Sequence, residues 1–264
     1  MRTKKTAIIL ITLIFAFTAV ISLVGLFSVK KVSVNFAISD KTDIKSVQRV
    51  LDGFLGDNLL LLKSEQVEDA LKGYHYLEVV SVKKDFPNVL SVELKERREI
   101  YYVEGENEYF VTTDDGFVLK SIEKCEFSGN TARDKILLEL DGVSVVSATI
   151  GNYIKTDNDI LLSSLFSMAK SVNLTDCIKS IKLSPFSDSA DIGEYNAVFE
   201  TYSGTQLKIE NMEEYGVEKT INAFYVYDNF LTDFQKACGE IQSYKMADGR
   251  YRVTYEQSHV WTSD

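Results

Sequence analysis

LEVVSVKKDFPNVLSVELKER, residues 77–97, reads as two β-strands joined by a proline turn. In its second half Leu90, Val92 and Leu94 alternate with Ser91, Glu93 and Lys95, the period-two pattern of a strand with one buried face. The first half offers Leu77, Val80 and Val82 as apolar positions. Asp85-Phe86-Pro87-Asn88 makes the connection, because proline presets φ at about −65° for a first central turn position and asparagine tolerates the second. Strands are therefore expected over 77–84 and 89–95, with Leu90, Val92 and Leu94 facing a core and Glu93 facing away.

Upstream, Thr42-Asp43 opens a helix whose face is Ile44, Val47, Leu51 and Leu55, ended by Gly56-Asp57-Asn58. A second helix starts with Ser64 as N-cap, carries Val67, Ala70 and Leu71 on one face, and stops at Gly73. Before both, VSVNFAI at 32–38 suggests a strand, so the order over residues 32–98 is β-α-α-β-β. That order, with GDNLLLL at 56–62, resembles the POTRA domain of the FtsQ/DivIB family of bacterial division proteins. The likeness runs through Leu77, Val80 and Val82, then Phe86-Pro87-Asn88, then Leu90, Val92 and Leu94, and on to the closing Glu96-Arg97. Phe86, Pro87, Leu90 and Glu96 are its structural markers. Two positions depart from the family pattern: no glycine follows the first strand, and Thr113 stands where an aspartate is common.

Residues 7–27, AIILITLIFAFTAVISLVGLF, hold no charge and are bracketed by Arg2, Lys4 and Lys5 on one side and Lys30 and Lys31 on the other. At about 1.5 Å of rise per helical residue the run matches the roughly 30 Å hydrocarbon core of a bilayer. A cleaved signal peptide competes, but its apolar region is shorter, about 7–15 residues, and ends at small residues. Ala16 with Thr18, or Leu23 with Gly25, makes a poor cleavage site. The expectation is one uncleaved transmembrane helix, with residues 1–6 a cytoplasmic stub and the remainder outside. Basic residues at both ends orient it only weakly. A POTRA domain directly after a single anchor is the layout of the resembled family.

From residue 99 the pattern changes. Tyr101-Tyr102-Val103 and Tyr109-Phe110-Val111 flank Gly105-Glu106-Asn107, and Asp115-Gly116 precedes Phe117-Val118-Leu119, all hairpin signals. Further strands are expected at 136–140, 178–183, 197–202 and 207–210, which implies a meandering sheet. Thr156, with Asp159 three residues on, would cap a helix whose face is Leu161, Leu165, Met168, Ala169 and Val172. The longest helix is expected over 214–238, through Val217, Ile221, Phe224, Leu231, Phe234 and Cys238. A hairpin of 241–246 and 250–256 around Ala247-Asp248-Gly249 closes the domain. The fold class is α+β: an N-terminal transmembrane helix, a small POTRA domain at 32–98, a larger mixed domain with a mainly antiparallel sheet at 99–256, and a tail at 257–264.

The chain has 264 residues and a net charge of −10, yet its first 31 residues carry five of the 29 basic residues and none of the 39 acidic ones. The body beyond is thus strongly acidic, which repels nucleic acid and anionic headgroups. Cys125, Cys177 and Cys238 are few and widely spaced, neither a disulfide framework nor a metal signature, and read as small buried hydrophobes or as one disulfide with a thiol to spare. His75 and His259 sit far apart in sequence with no triad partners around them. Thr113-Asp114-Asp115-Gly116 and Asp157-Asn158-Asp159 lack calcium-loop spacing and read as a turn and a helix start. Asn173-Leu174-Thr175 is a glycosylation sequon by pattern only, which a bacterial reading makes idle. No catalytic, cofactor or metal residue is assigned.

The resemblance implies a non-enzymatic division scaffold at the septum that binds small bitopic coiled-coil proteins of the DivIC/FtsB and FtsL type, with septal cell-wall synthases downstream. It also implies that binding runs largely through the last strands of the second domain, here Arg250, Tyr251, Arg252, Val253 and Tyr255. An exposed terminal strand offers backbone groups for strand addition, and Arg and Tyr are common at interface hot spots. Alternation sets Tyr251, Val253 and Tyr255 on one face and Arg250, Arg252 and Thr254 on the other, without saying which face is free. Two other readings are open: an extracytoplasmic ligand-binding or sensing domain, and a POTRA-bearing export component, for which a following membrane β-barrel is missing.

Overall fold

The computed structural model describes residues 25–36, 41–124, 135–172, 177–185 and 194–257, together with Leu13 and Phe15. Two units emerge, one up to Arg97 and one from Arg98. Most of the expected membrane helix lies outside the described residues, as do Cys125, the 173–175 glycosylation pattern and the tail with His259. Among the described residues no helix is long and apolar enough to cross a membrane.

In the first unit β1 (Lys31–Phe36) is followed by α1 (Ile44–Leu51), a 3-10 turn (Asp52–Phe54), α2 (Ser64–Leu71), β2 (Leu77–Asp85) and β3 (Val89–Glu96). The sheet order is β1-β3-β2, with β3 parallel to β1 and antiparallel to β2. The expected alternation holds: Leu90, Val92 and Leu94 are 0–5% exposed and pack on Val47 and Leu51 of α1 and Val67 and Leu71 of α2. Burying one such leucine is worth about 1.5–3 kcal/mol.

Four details depart from the sequence pattern. Ile44 and Leu55 are exposed, because α1 ends at Leu51 and the tighter turn after it rotates Leu55 away while Phe54 packs inward. Ala70 is exposed as well. Lys63, not Ser64, is the N-cap of α2, its N–H donating to the Gln66 side chain at 2.8 Å. Val80 is the extra residue of a β-bulge between Val79 and Ser81, so it turns outward and Val79 takes its place against the core. In the turn, Asp85 still pairs with Val89 and the Phe86–Pro87 peptide is cis.

The second unit is built on a nine-stranded sheet. Its strands are β4 (Tyr101–Glu104), β5 (Glu108–Thr112), β6 (Val118–Glu123), β7 (Ile136–Leu140), β10 (Ile178–Pro185), β11 (Tyr195–Thr201), β12 (Gln206–Ile209), β13 (Gly239–Lys245) and β14 (Tyr251–Gln257). A separate ribbon pairs β8 (Val145–Ser147) with β9 (Lys155–Thr156). The order β14-β13-β12-β11-β10-β7-β4-β5-β6 is not the expected meander. β7 runs parallel to both β4 and β10, and β12 runs parallel to β13, because chain crossovers intervene between those strands. The other five pairings are antiparallel.

Helices α3 (Asp159–Ser171) and α4 (Gly216–Phe230) pack their apolar sides on the sheet, joining Leu161, Leu165 and Met168 to Phe199, Ile181, Phe224 and Ile241 in one core. Asn158, not Thr156, caps α3 by accepting from Leu161 N–H at 3.1 Å, while Thr156 N–H donates to Asp159 at 2.7 Å. The single long helix expected over 214–238 is two. The chain breaks at Leu231, and Thr232 with Gln235 forms a capping box that starts α5 (Asp233–Ala237). The buried face of α4 is Lys219, Thr220, Ala223, Phe224 and Tyr227, whereas Ile221 and Phe234 are exposed.

Candidate partner-binding edge

Among the described residues β14 ends the sheet and pairs on one side only, with β13, in unbroken register from Lys245↔Tyr251 to Gly239↔Gln257. The direction of its backbone groups follows from two hydrogen bonds. Met246 N–H donates to Arg250 O at 2.8 Å across the turn, and Glu210 N–H donates to Ser243 O at 3.0 Å on the far side of β13. In the alternating antiparallel pattern Ser243↔Val253 is therefore a pair without mutual hydrogen bonds. Arg252, Thr254 and Glu256 bond inward to β13, and Tyr251, Val253 and Tyr255 turn their N–H and C=O groups to the open edge.

Their side chains have a different task. Val253 and Tyr255 pack on the core, and Tyr255 Oη donates to Gln235 O at 3.1 Å. The ring lies over Gly239, the diagonal neighbour on β13, where a Cβ would collide with it. The Tyr251 ring lies 5.3 Å from that of Tyr215 and 5.8 Å from Lys219 Nζ. Lys219 is 1% exposed and donates to Glu210 O at 2.6 Å and Asn211 O at 2.8 Å, which holds the turn where Asn211 and Tyr215 have positive φ. Burial pulls its pKa down, with Glu214 and Glu210 opposing. Lys245 pairs with Glu214 beside it.

The tyrosine face thus belongs to the domain, and Arg252, Thr254 and Glu256 form the outward face. Arg250 lies before the strand, in the turn, where its guanidinium meets Asp248 at 2.6 Å and holds that carboxyl below its usual range. Of the residues singled out from sequence, Arg250 is committed to the turn, and Tyr251, Val253 and Tyr255 present backbone only. Arg252 spends its backbone groups on β13 and presents an exposed side chain.

Phe86, Pro87, Leu90 and Glu96 belong to the other unit: Leu90 is buried, Phe86 is 56% exposed, and Glu96 pairs with Leu77. Sequence reading missed Tyr215, Lys219 and Glu214, which lock the back of the edge. It also missed an outward apolar stripe of Ile221, Tyr225 and Phe230 on α4. The spacing of Ile221 and Tyr225, four residues apart, was the available signal.

Other polar clusters have structural partners. Thr113 Oγ1 donates to Asp115 and accepts from Phe117 N–H, and Asp114 pairs with Lys170 at 3.1 Å. Among the described residues no group of three or more His, Cys, Asp or Glu could hold a metal ion. Cys177 and Cys238 are half-buried and not fully buried, and His75 is half-buried ahead of β2.

Comparison with known proteins adds the following. Residues 27–97 match the family described as POTRA domain, FtsQ-type. A cell division protein DivIB from Clostridium acetobutylicum is 30% identical over 121 residues, covering 46% of this chain and 45% of the relative. Those from Clostridium tetani and Clostridium botulinum are 24% and 22% identical, covering 57% and 60% of this chain and 53% and 58% of the relatives. The chain spans about half the length of the curated relatives it matches. A solved structure, the major extracytoplasmic domain of the trans isomer of DivIB from Geobacillus stearothermophilus, is 12% identical, covers 48% of this chain and 95% of that one, and gives a TM-score of 0.24.

Proposed function

We propose that the chain is a member of the FtsQ/DivIB family of bacterial cell division proteins and, on that footing, a membrane-anchored scaffold of the division complex with no chemistry of its own. In this reading residues 1–6 are cytoplasmic, residues 7–27 cross the cell membrane once, and both folded units work outside it at the septum. β14 takes up a strand from a small bitopic coiled-coil protein of the DivIC/FtsB or FtsL type. Through such partners the scaffold bears on septal cell-wall synthases.

The observation that carries the reading is the open edge of β14, where Tyr251, Val253 and Tyr255 turn backbone groups outward while their side chains stay anchored in the domain. Affinity then comes from main-chain hydrogen bonds and selectivity from Arg252, Thr254 and Glu256. The test is purification of the intact protein from membranes with its small bitopic companions, wild type against Val253→Pro. Proline removes an outward donor and leaves the inner ladder whole, so the companions should be lost from a protein that is still folded. Undiminished recovery with the folded variant rejects strand addition. A reporter active only outside the cytoplasm, fused after Asp264, should be active, and silence there rejects the topology.

A further inference from the structure

Four exposed apolar side chains of the first unit, Leu55, Leu60, Leu61 and Phe86, are 46–77% exposed and gather beside the end of the 7–27 run. Backbone hydrogen bonds fix the placement. Leu59 N–H donates to Phe27 O at 2.7 Å, Val29 N–H to Asp57 O at 2.8 Å, and Gly56 N–H to Val29 O at 2.9 Å. On the other side the Phe86 ring meets the Phe27 ring edge-on at 5.8 Å, and Lys84 Nζ reaches Leu60 O at 3.3 Å, so the turn between β2 and β3 closes on the same spot. Gly25 and Leu26 just before it are helical.

We propose that this collar is a lipid-facing surface: Leu55, Leu60, Leu61 and Phe86 sit in the interfacial layer of the extracytoplasmic leaflet, around the point where the chain leaves the bilayer. The proposal rests on the membrane-spanning reading of residues 7–27. Continuity is what assigns the occupant. A helix that crosses a bilayer ends at its surface, so groups hydrogen-bonded to its last residues lie at headgroup depth, where apolar side chains gain by leaving water. Charge agrees locally. Lys30, Lys31, Lys63 and Lys84 are close neighbours of these residues along the chain, with Asp57 and Asp85 among them, on a body that is otherwise acidic, and a lysine stem can lie along apolar surface with its ammonium at phosphate level. The first unit would then be held to the membrane at several points and not swing on a single tether.

The experiment uses the full chain, one copy per nanodisc of phosphatidylethanolamine and phosphatidylglycerol, with Cys125→Ser, Cys177→Ser and Cys238→Ser and one new cysteine carrying a small fluorophore. Leu61→Cys is compared with Val146→Cys, an exposed site on the second unit, and with Phe15→Cys. Nitroxide placed near the headgroups should quench the label at 61 severalfold more than that at 146, and aqueous iodide should do the reverse. Equal iodide quenching at the two sites overturns the proposal. So does a label at 61 shielded from iodide yet untouched by lipid nitroxide, which would mean that protein covers the collar. If nitroxide deep in the bilayer fails to quench the label at 15, the membrane-spanning reading itself is what fails.

Discussion

β2 and β14 are both edge strands of antiparallel hairpins, and they manage their open sides in opposite ways. In β2 the register slips at Val80, which bulges outward, and the strand ends in Lys83, Lys84 and Asp85. A bulge twists an edge away from a flat approach, and charges penalise an uninvited neighbour. In β14 seven residues run in step with β13 without a slip. An edge of that length and regularity is what an added strand requires. The difference lies in the backbone: the side chains of β14 alternate, Tyr251, Val253 and Tyr255 toward the domain and Arg252, Thr254 and Glu256 outward.

The largest effect should come from the strand that anchors the protected edge. Val92→Asp places a charge at the centre of the first core, at a cost of about 4 kcal/mol, and should abolish the first unit's cooperative melting while the second unit's amide protection persists. Retention of both would mean that β3 is not the inner strand. Next is a contrast within β14. Thr254→Pro removes an inward ladder donor and should cost about 1–3 kcal/mol in thermal unfolding, whereas Val253→Pro, one residue away, should leave the melt within about 1 kcal/mol. Equal losses would erase the assigned directions of the backbone groups.

Gly239→Ala sharpens the same point from the other side of the hairpin. Its new methyl would displace the Tyr255 ring, breaking the bond to Gln235 and costing about 1–2 kcal/mol in denaturant titration. The smallest effect is expected at the bulge. Val80→Lys should change stability by less than about 0.5 kcal/mol, because the side chain already faces water. A larger loss would show that Val80 packs on something.

The first unit was legible in sequence because its determinants are local: alternation in β3, a proline turn, and apolar residues four apart in each helix. At Leu55 and Val80 it was misread because a tight turn or a bulge shifts the phase by one residue. The sheet order of the second unit was not legible, since nothing in 136–140 tells that β7 lies between β4 and β10. The break after Phe230 was legible but overlooked. Leu231 and Phe234 continue the apolar spacing, yet Thr232 and Gln235 spell a capping box. Lys219 and Thr220 defeated the periodicity reading of α4, because a buried lysine that donates to two carbonyls occupies a core position without an apolar signature. For the candidate site, the strand and its alternation were readable. Its edge position and the spent tyrosine face were not.

The parallel insertion of β7 also bears on mechanics. A load entering at β14 and leaving by the segment before Tyr101 would cross the ladders one after another, through β7 and on to β4. The ladder between β4 and β7 has only the pairs Tyr101↔Ile136, Tyr102↔Leu137 and Val103↔Leu138, against seven registered pairs from Lys245↔Tyr251 to Gly239↔Gln257. Under tension across the sheet the narrow seam is therefore deep inside the domain, and the ladder that holds β14 should outlast it.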